Sequence, residues 1–123
     1  MSGDGVINVR LPKSLLETFC IVTDRQGLTR HEASRRMIVM LPDLAVNELK
    51  QLKDPPHEPY TARVSLYIGW RAVDILTAAT HDSTLTNSTI FRRLLYGLLV
   101  TKELQFVQQN GDWRLQIARS KKA

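Results

Sequence analysis

Asn8 and Arg10 in VINVRLP, and Arg63, Ser65 and Tyr67 in RVSLYIG, stand at alternate positions of two short segments whose intervening residues are apolar. A period of two puts one set on the outer face of a strand and the other against a core. The outer set has a definite chemistry. An Asn amide pairs bidentately with the edge of adenine, an Arg guanidinium with that of guanine, and Ser and Tyr hydroxyls donate or accept as required. Other chemistries find little here. The lone Cys20 excludes an intrachain disulfide framework, and His31, His57 and His81 are too scattered for a zinc site. There is no phosphate-cradling glycine loop, carboxylate cluster or Cys-His pair at motif spacing, so the expectation is a non-enzyme with no metal and no other cofactor.

A repeat indicates which elements hold these residues. LTNSTIFRRLL (85–95) echoes LTRHEASRRMI (28–38) at an offset of 85 − 28 = 57, which also lays Arg92-Arg93 on Arg35-Arg36 and Leu98 on Leu41. Carried back, the offset sets 6–19 against 63–76, so the chain reads as one unit written twice. In the first copy Ile7, Val9 and Leu11 form the inward face of a strand that Pro12 ends. Ser14 and Glu17 have capping-box spacing, and Leu15, Leu16, Phe19 and Val22 make the apolar stripe of a helix closing near Gly27. Thr29 and Glu32 repeat that spacing ahead of Ala33, Met37, Met40 and Leu41, a second helix halted by Pro42. The second copy repeats the order: Val64, Leu66 and Ile68 inward, then Val73, Leu76 and Ala79, then Thr86 capping a helix through Ile90, Leu94 and Leu98.

A strand with two helices cannot satisfy both strand edges or cover its own apolar stripes, so each copy needs the other. The expected fold is mainly α with a short antiparallel β-ribbon, a single-chain pseudo-dimer with a C-terminal hairpin. It would be one intertwined domain, with halves at 6–41 and 63–100 and a linker over 42–62. Within that linker 45–52 reads as a short helix and DPPHEP (54–59) as a stiff spacer that separates the units. Asn110-Gly111 between two strand-like runs predicts the hairpin over 104–118. A pseudo-twofold near Asn8 and Ser65 would set Arg10 across from Arg63 and Val6 across from Tyr67. Like charges face to face are unfavourable without a ligand, so the arginine end is expected to anchor on guanine or phosphate.

INVRLP, Gly27 and Thr29 within 6–41, and more loosely Gly69 and Thr84 within 63–98, carry a resemblance to the ribbon-helix-helix family of DNA-binding proteins. Gly69 stands where the first copy has Pro12, and Thr84 where it has Gly27. The resemblance covers about three quarters of the chain and implies double-stranded DNA as partner, read through the major groove by Asn8, Arg10, Arg63, Ser65 and Tyr67. The starts of the second helices would take phosphate at Thr29 and Arg30 and at Thr86, Asn87 and Ser88, with His31 nearby and Lys13 and Arg71 just past each strand. The tandem form resembles members of the family that act as accessory factors beside T-DNA borders, in virulence and conjugation. That implies a relaxase or other DNA-transfer protein as a further partner. A transcriptional repressor or partition protein of the same fold, and an interaction module using the hairpin or Trp113, remain open readings. Because the two reading sets differ, a monomer with an internal pseudo-twofold should read an asymmetric site.

The net charge of +5 and sequence pI of 9.7 suit a polyanionic partner. No apolar run approaches the roughly 18 residues of a membrane span, and MSGDG, a flexible leader, lacks a signal-peptide core, so the expected setting is cytoplasmic and away from membranes. Arg35-Arg36 and Arg92-Arg93 fall mid-helix and are expected to pair with Glu32, Asp24 or Asp82. Cys20, Trp70 and Trp113 read as buried or packing residues.

Overall fold

The computed structural model describes residues 5–56 and 58–118; residues 1–4 of the expected MSGDG leader lie outside these, as does His57 in the linker, while Gly5, expected in that leader, is instead buried at the start of the ribbon. In chain order the described elements are β1 (Val6–Leu11), α1 (Lys13–Gln26), α2 (Arg30–Val39), a 3-10 turn (Leu41–Asp43), α3 (Val46–Gln51), β2 (Ala62–Tyr67), α4 (Trp70–Ser83), α5 (Asn87–Leu99), β3 (Leu104–Gln109) and β4 (Asp112–Ile117). β1 pairs antiparallel with β2, and β3 with β4, making two separate two-stranded sheets. The helices of the second unit start 70 − 13 = 57 and 87 − 30 = 57 positions after those of the first. No described helix is long and apolar enough to cross a membrane.

Alternation in β1 and β2 sends Ile7, Val9, Leu11, Val64 and Leu66 inward, and Ile68 follows just past the strand; all six are buried. They join a cluster that draws Leu15, Phe19, Met37 and Ile38 from the first unit and Leu76, Ile90, Phe91 and Leu94 from the second. Phe19 and Phe91 meet edge to face at 6.1 Å across the two units. α1 ends at Gly27, whose left-handed backbone (φ 71°) lets Leu28 N–H donate to the Thr23 carbonyl and close the last turn. In the hairpin Asn110 (φ 53°) and Gly111 (φ 84°) both take the left-handed conformation of a type I′ turn. Leu104 and Leu115 anchor that hairpin in the core, and the Asp43 carboxylate accepts from Leu115 N–H at 3.0 Å.

Several expectations need correction. Ser14 does not cap α1: Pro12 is the N-cap residue without a side-chain bond, and Ser14, one residue inside the helix, donates its hydroxyl to Glu58 at 2.5 Å. The linker does not hold the units apart but straps them together. Glu58 grips the start of α1, while Asp54 pairs with both Arg92 and Arg93 of α5 at 3.4 Å. Those arginines therefore ignore Asp82, a residue of their own unit, because the strap brings a carboxylate closer. Arg35 and Arg36 pair with Glu32. Trp70, the first residue of α4, and Trp113, on the same face of β4 as the buried Leu115 but nearer the hairpin turn, are more than half exposed, and Cys20 is half-buried.

Candidate nucleic-acid interface

The register of the β1–β2 ribbon sets Asn8 opposite Ser65, Arg10 opposite Arg63 and Val6 opposite Tyr67. Asn8, Arg10, Arg63, Ser65 and Tyr67 are all exposed on its outer face, while Val6 is half-buried. The ribbon thus brings together all five residues proposed from the sequence as base readers. At its centre the Ser65 hydroxyl donates to Asn8 Oδ1 at 2.6 Å. An amide oxygen has two lone pairs, so this bond holds the Asn8 amide in place and still leaves an acceptor, beside the NH2 donors, for an adenine edge.

Arginines sort by partner. Arg35, Arg36, Arg92, Arg93 and Arg114 are in ion pairs. Among the described residues, neither Arg10 nor Arg63 has a carboxylate within 4.0 Å, although each faces the other's like charge. Asn8, Arg10, Arg63, Ser65 and Ser88 line one shallow depression on this face.

The two helix starts flank the ribbon. Thr29 Oγ1 accepts from Glu32 N–H at 3.0 Å and Thr86 Oγ1 from Thr89 N–H at 3.1 Å, so both threonines are N-caps. Each start is tied to the opposite unit's strand by one bond. Arg10 N–H donates to Ser88 Oγ at 3.1 Å, and Tyr67 N–H donates to His31 Nδ1 at 3.0 Å. As an acceptor, Nδ1 carries no proton in this arrangement, which places the imidazole hydrogen on Nε2. The His31 ring also meets Tyr67 edge to face at 5.2 Å. Arg10 and Tyr67 are equivalent under the repeat (67 − 10 = 57), as are His31 and Ser88 (88 − 31 = 57), so one tether is built twice from different side chains. The consequence is a fixed distance between each ribbon end and a helix N-terminus with its unpaired N–H groups. Lys13, Arg30 and Arg71 are exposed, and Asn87 and Ser88 half-buried. No family model, curated protein or solved structure matches the chain.

Sequence reasoning missed the support beneath the ribbon. Arg92, 8% exposed, reaches the Arg10 carbonyl (3.4 Å), Asp54 (3.4 Å) and Thr89 (3.1 Å), and its guanidinium lies 4.0 Å from the centre of the Tyr60 ring. The two contacts in the linker, Asp54 and Tyr60, carry no periodic signal. The tethers, in contrast, were accessible in principle, because the offset that pairs 31 with 88 also pairs 10 with 67.

Proposed function

We propose that this chain binds double-stranded DNA, laying the β1–β2 ribbon in the major groove as a single-chain ribbon-helix-helix protein whose two units act as two subunits would. The observation that carries the reading is the pairing of Asn8 with Ser65 at the centre of an outward polar face whose arginines, Arg10 and Arg63, have no carboxylate within 4.0 Å among the described residues. A two-stranded ribbon fits a groove about 12 Å wide, and hydrogen-bonding side chains on one of its faces are what base edges require. The tethered starts of α2 and α5, with Thr29, Arg30, Thr86, Asn87 and Ser88, then lie beside the ribbon to take backbone phosphates, with Lys13 and Arg71 adding charge. A net charge of +5 agrees with such a partner. The work is binding, without catalysis. A place as an accessory factor in conjugative-type or T-DNA transfer, next to a relaxase, follows from the resemblance of the tandem form alone; a repressor would use the same face.

Titrating salt against binding to random and to selected duplexes tests this. Three to five phosphate contacts give a slope of log K against log salt of roughly −3 to −5. Asn8→Ala and Arg10→Ala should abolish preference for selected sites and keep binding to random duplex. Absence of duplex binding at low salt would sink the reading and favour a protein-interaction module, for which the exposed Phe106 and Trp113 of the hairpin are the available surface.

A further inference from the structure

The repeat offset superposes four positions of the ribbon and its tethers: 6 on 63, 8 on 65, 10 on 67 and 31 on 88, each pair 57 apart. At none of them is the residue the same. Val6 answers Arg63, Asn8 answers Ser65, Arg10 answers Tyr67 and His31 answers Ser88. Antiparallel pairing sorts these differences by end rather than mixing them. One end of the ribbon holds Arg10 opposite Arg63, with Ser88 bonded to the Arg10 backbone. The other holds Val6 opposite Tyr67, with His31 bonded to the Tyr67 backbone.

We infer that the DNA site is directional, with guanine under the Arg10–Arg63 end and a thymine methyl under the Val6–Tyr67 end, so that the protein seats in one orientation only. This rests on the duplex-binding reading and adds to it. Guanine offers the guanidinium fork two acceptors, N7 and O6, and an acceptor-rich edge also relieves the repulsion of two facing arginines. Thymine presents a single acceptor beside an apolar C5 methyl, a surface matched by the methyls of Val6 and an aromatic ring. Tyr67 is 59% exposed while its backbone N–H is bonded to His31 and its ring packs against the His31 imidazole at 5.2 Å, so its position is set before DNA arrives. Turning the protein end for end would put guanidinium on methyl and ring on acceptors. At about tenfold lost per mispaired end, the reversed complex would be roughly a hundredfold weaker. Two identical subunits could not discriminate in this way, because their ends are interchangeable.

Selection from randomised duplexes by the natural chain should return a non-palindromic consensus with guanine at one end and thymine at the other. Replacing that thymine by deoxyuridine removes only the methyl; affinity should fall about three- to tenfold for the natural chain and stay level for Tyr67→Ala. The double variant Arg10→Ala/Arg63→Ala should relax the guanine end alone. The double variant Val6→Arg/Tyr67→Arg, with folding checked by circular dichroism, should select guanine at both ends. A palindromic consensus from the natural chain, or indifference to deoxyuridine, overturns directionality and leaves duplex binding standing. Absence of duplex binding at low salt removes both.

Discussion

Arg35 and Arg92 are equivalent residues (92 − 35 = 57) with opposite fates. Arg35 is exposed and pairs with Glu32 one turn away, whereas Arg92 is buried and joins Asp54, the Tyr60 ring and the Arg10 carbonyl. An exposed pair within a helix contributes little, but removing a buried guanidinium empties its space in the core and takes the donor from a strand carbonyl, while Asp54 keeps Arg93. Arg92→Ala should therefore lower unfolding stability by roughly 2–4 kcal/mol, and Arg35→Ala by less than about 0.5, as read from urea midpoints. Glu32 adds a pH signature. Its hydrogen bonds from Arg35, then Arg36, hold its carboxyl below the ordinary glutamate range. The Ser14 hydroxyl and backbone N–H do the same for Glu58. A carboxyl whose folded pKa is depressed contributes stability above its unfolded pKa, and that contribution fades as pH falls through the folded one. Stability should thus drop on the acid side of the glutamate range, and Glu32→Gln should flatten part of that drop.

At the scale of elements, the ribbon depends on a close approach at its edge. The Gly5 carbonyl accepts from Ile68 N–H at 2.8 Å and Gly69 N–H at 3.1 Å, and a Cβ at Gly5 would lie 2.5 Å from the Gly69 carbonyl carbon. Gly5→Ala must push the strand ends apart, beyond the strain of φ 71°, and should destabilise by more than the roughly 1 kcal/mol expected of Gly27→Ala, where φ is the same but the space is open. Differential calorimetry of the two variants would rank them; equal losses would mean that the approach is not tight. The caps allow a second comparison. Thr29→Ala and Thr86→Ala should each remove about 1 kcal/mol of stability by leaving an N–H without its acceptor. Each should also weaken duplex binding to random sequence if the helix starts hold phosphate.

For the whole molecule, stability is shared by pieces outside the repeat. The hairpin buries Leu104 and Leu115 against the core, with Leu104 lying over Gly97 of α5, where an added Cβ would be 3.2 Å from it. Asp43 ties the hairpin to the turn after α2 through Arg114 and Leu115 N–H. A chain ending before Leu104 should therefore melt well below the intact protein, and Asp43→Ala should destabilise by about 1–2 kcal/mol by leaving the Leu115 amide without its acceptor. Intact melting after removal of the hairpin would show it to be an ornament.

Strand alternation, helix stripes, threonine caps and the Asn-Gly turn were legible because each is a local pattern repeated within a few residues, and a pseudo-twofold placed near Asn8 and Ser65 indicated which residues of β1 and β2 would face each other. Ser14 misled because capping-box spacing is short and unspecific, and the competing partner, Glu58, lies 44 residues away. Nor did periodicity mark the strap, since Asp54, Glu58 and Tyr60 act one at a time on surfaces supplied by other elements. By itself the sequence determined the periods, the two threonine caps and the outward placement of Asn8, Arg10, Arg63, Ser65 and Tyr67, all set by backbone geometry over neighbouring positions. Only tertiary structure decided which carboxylate neutralises Arg92 and Arg93, how the linker binds the two units, and which tether holds each helix start, because those depend on contacts between segments whose separation in the chain carries no local signal.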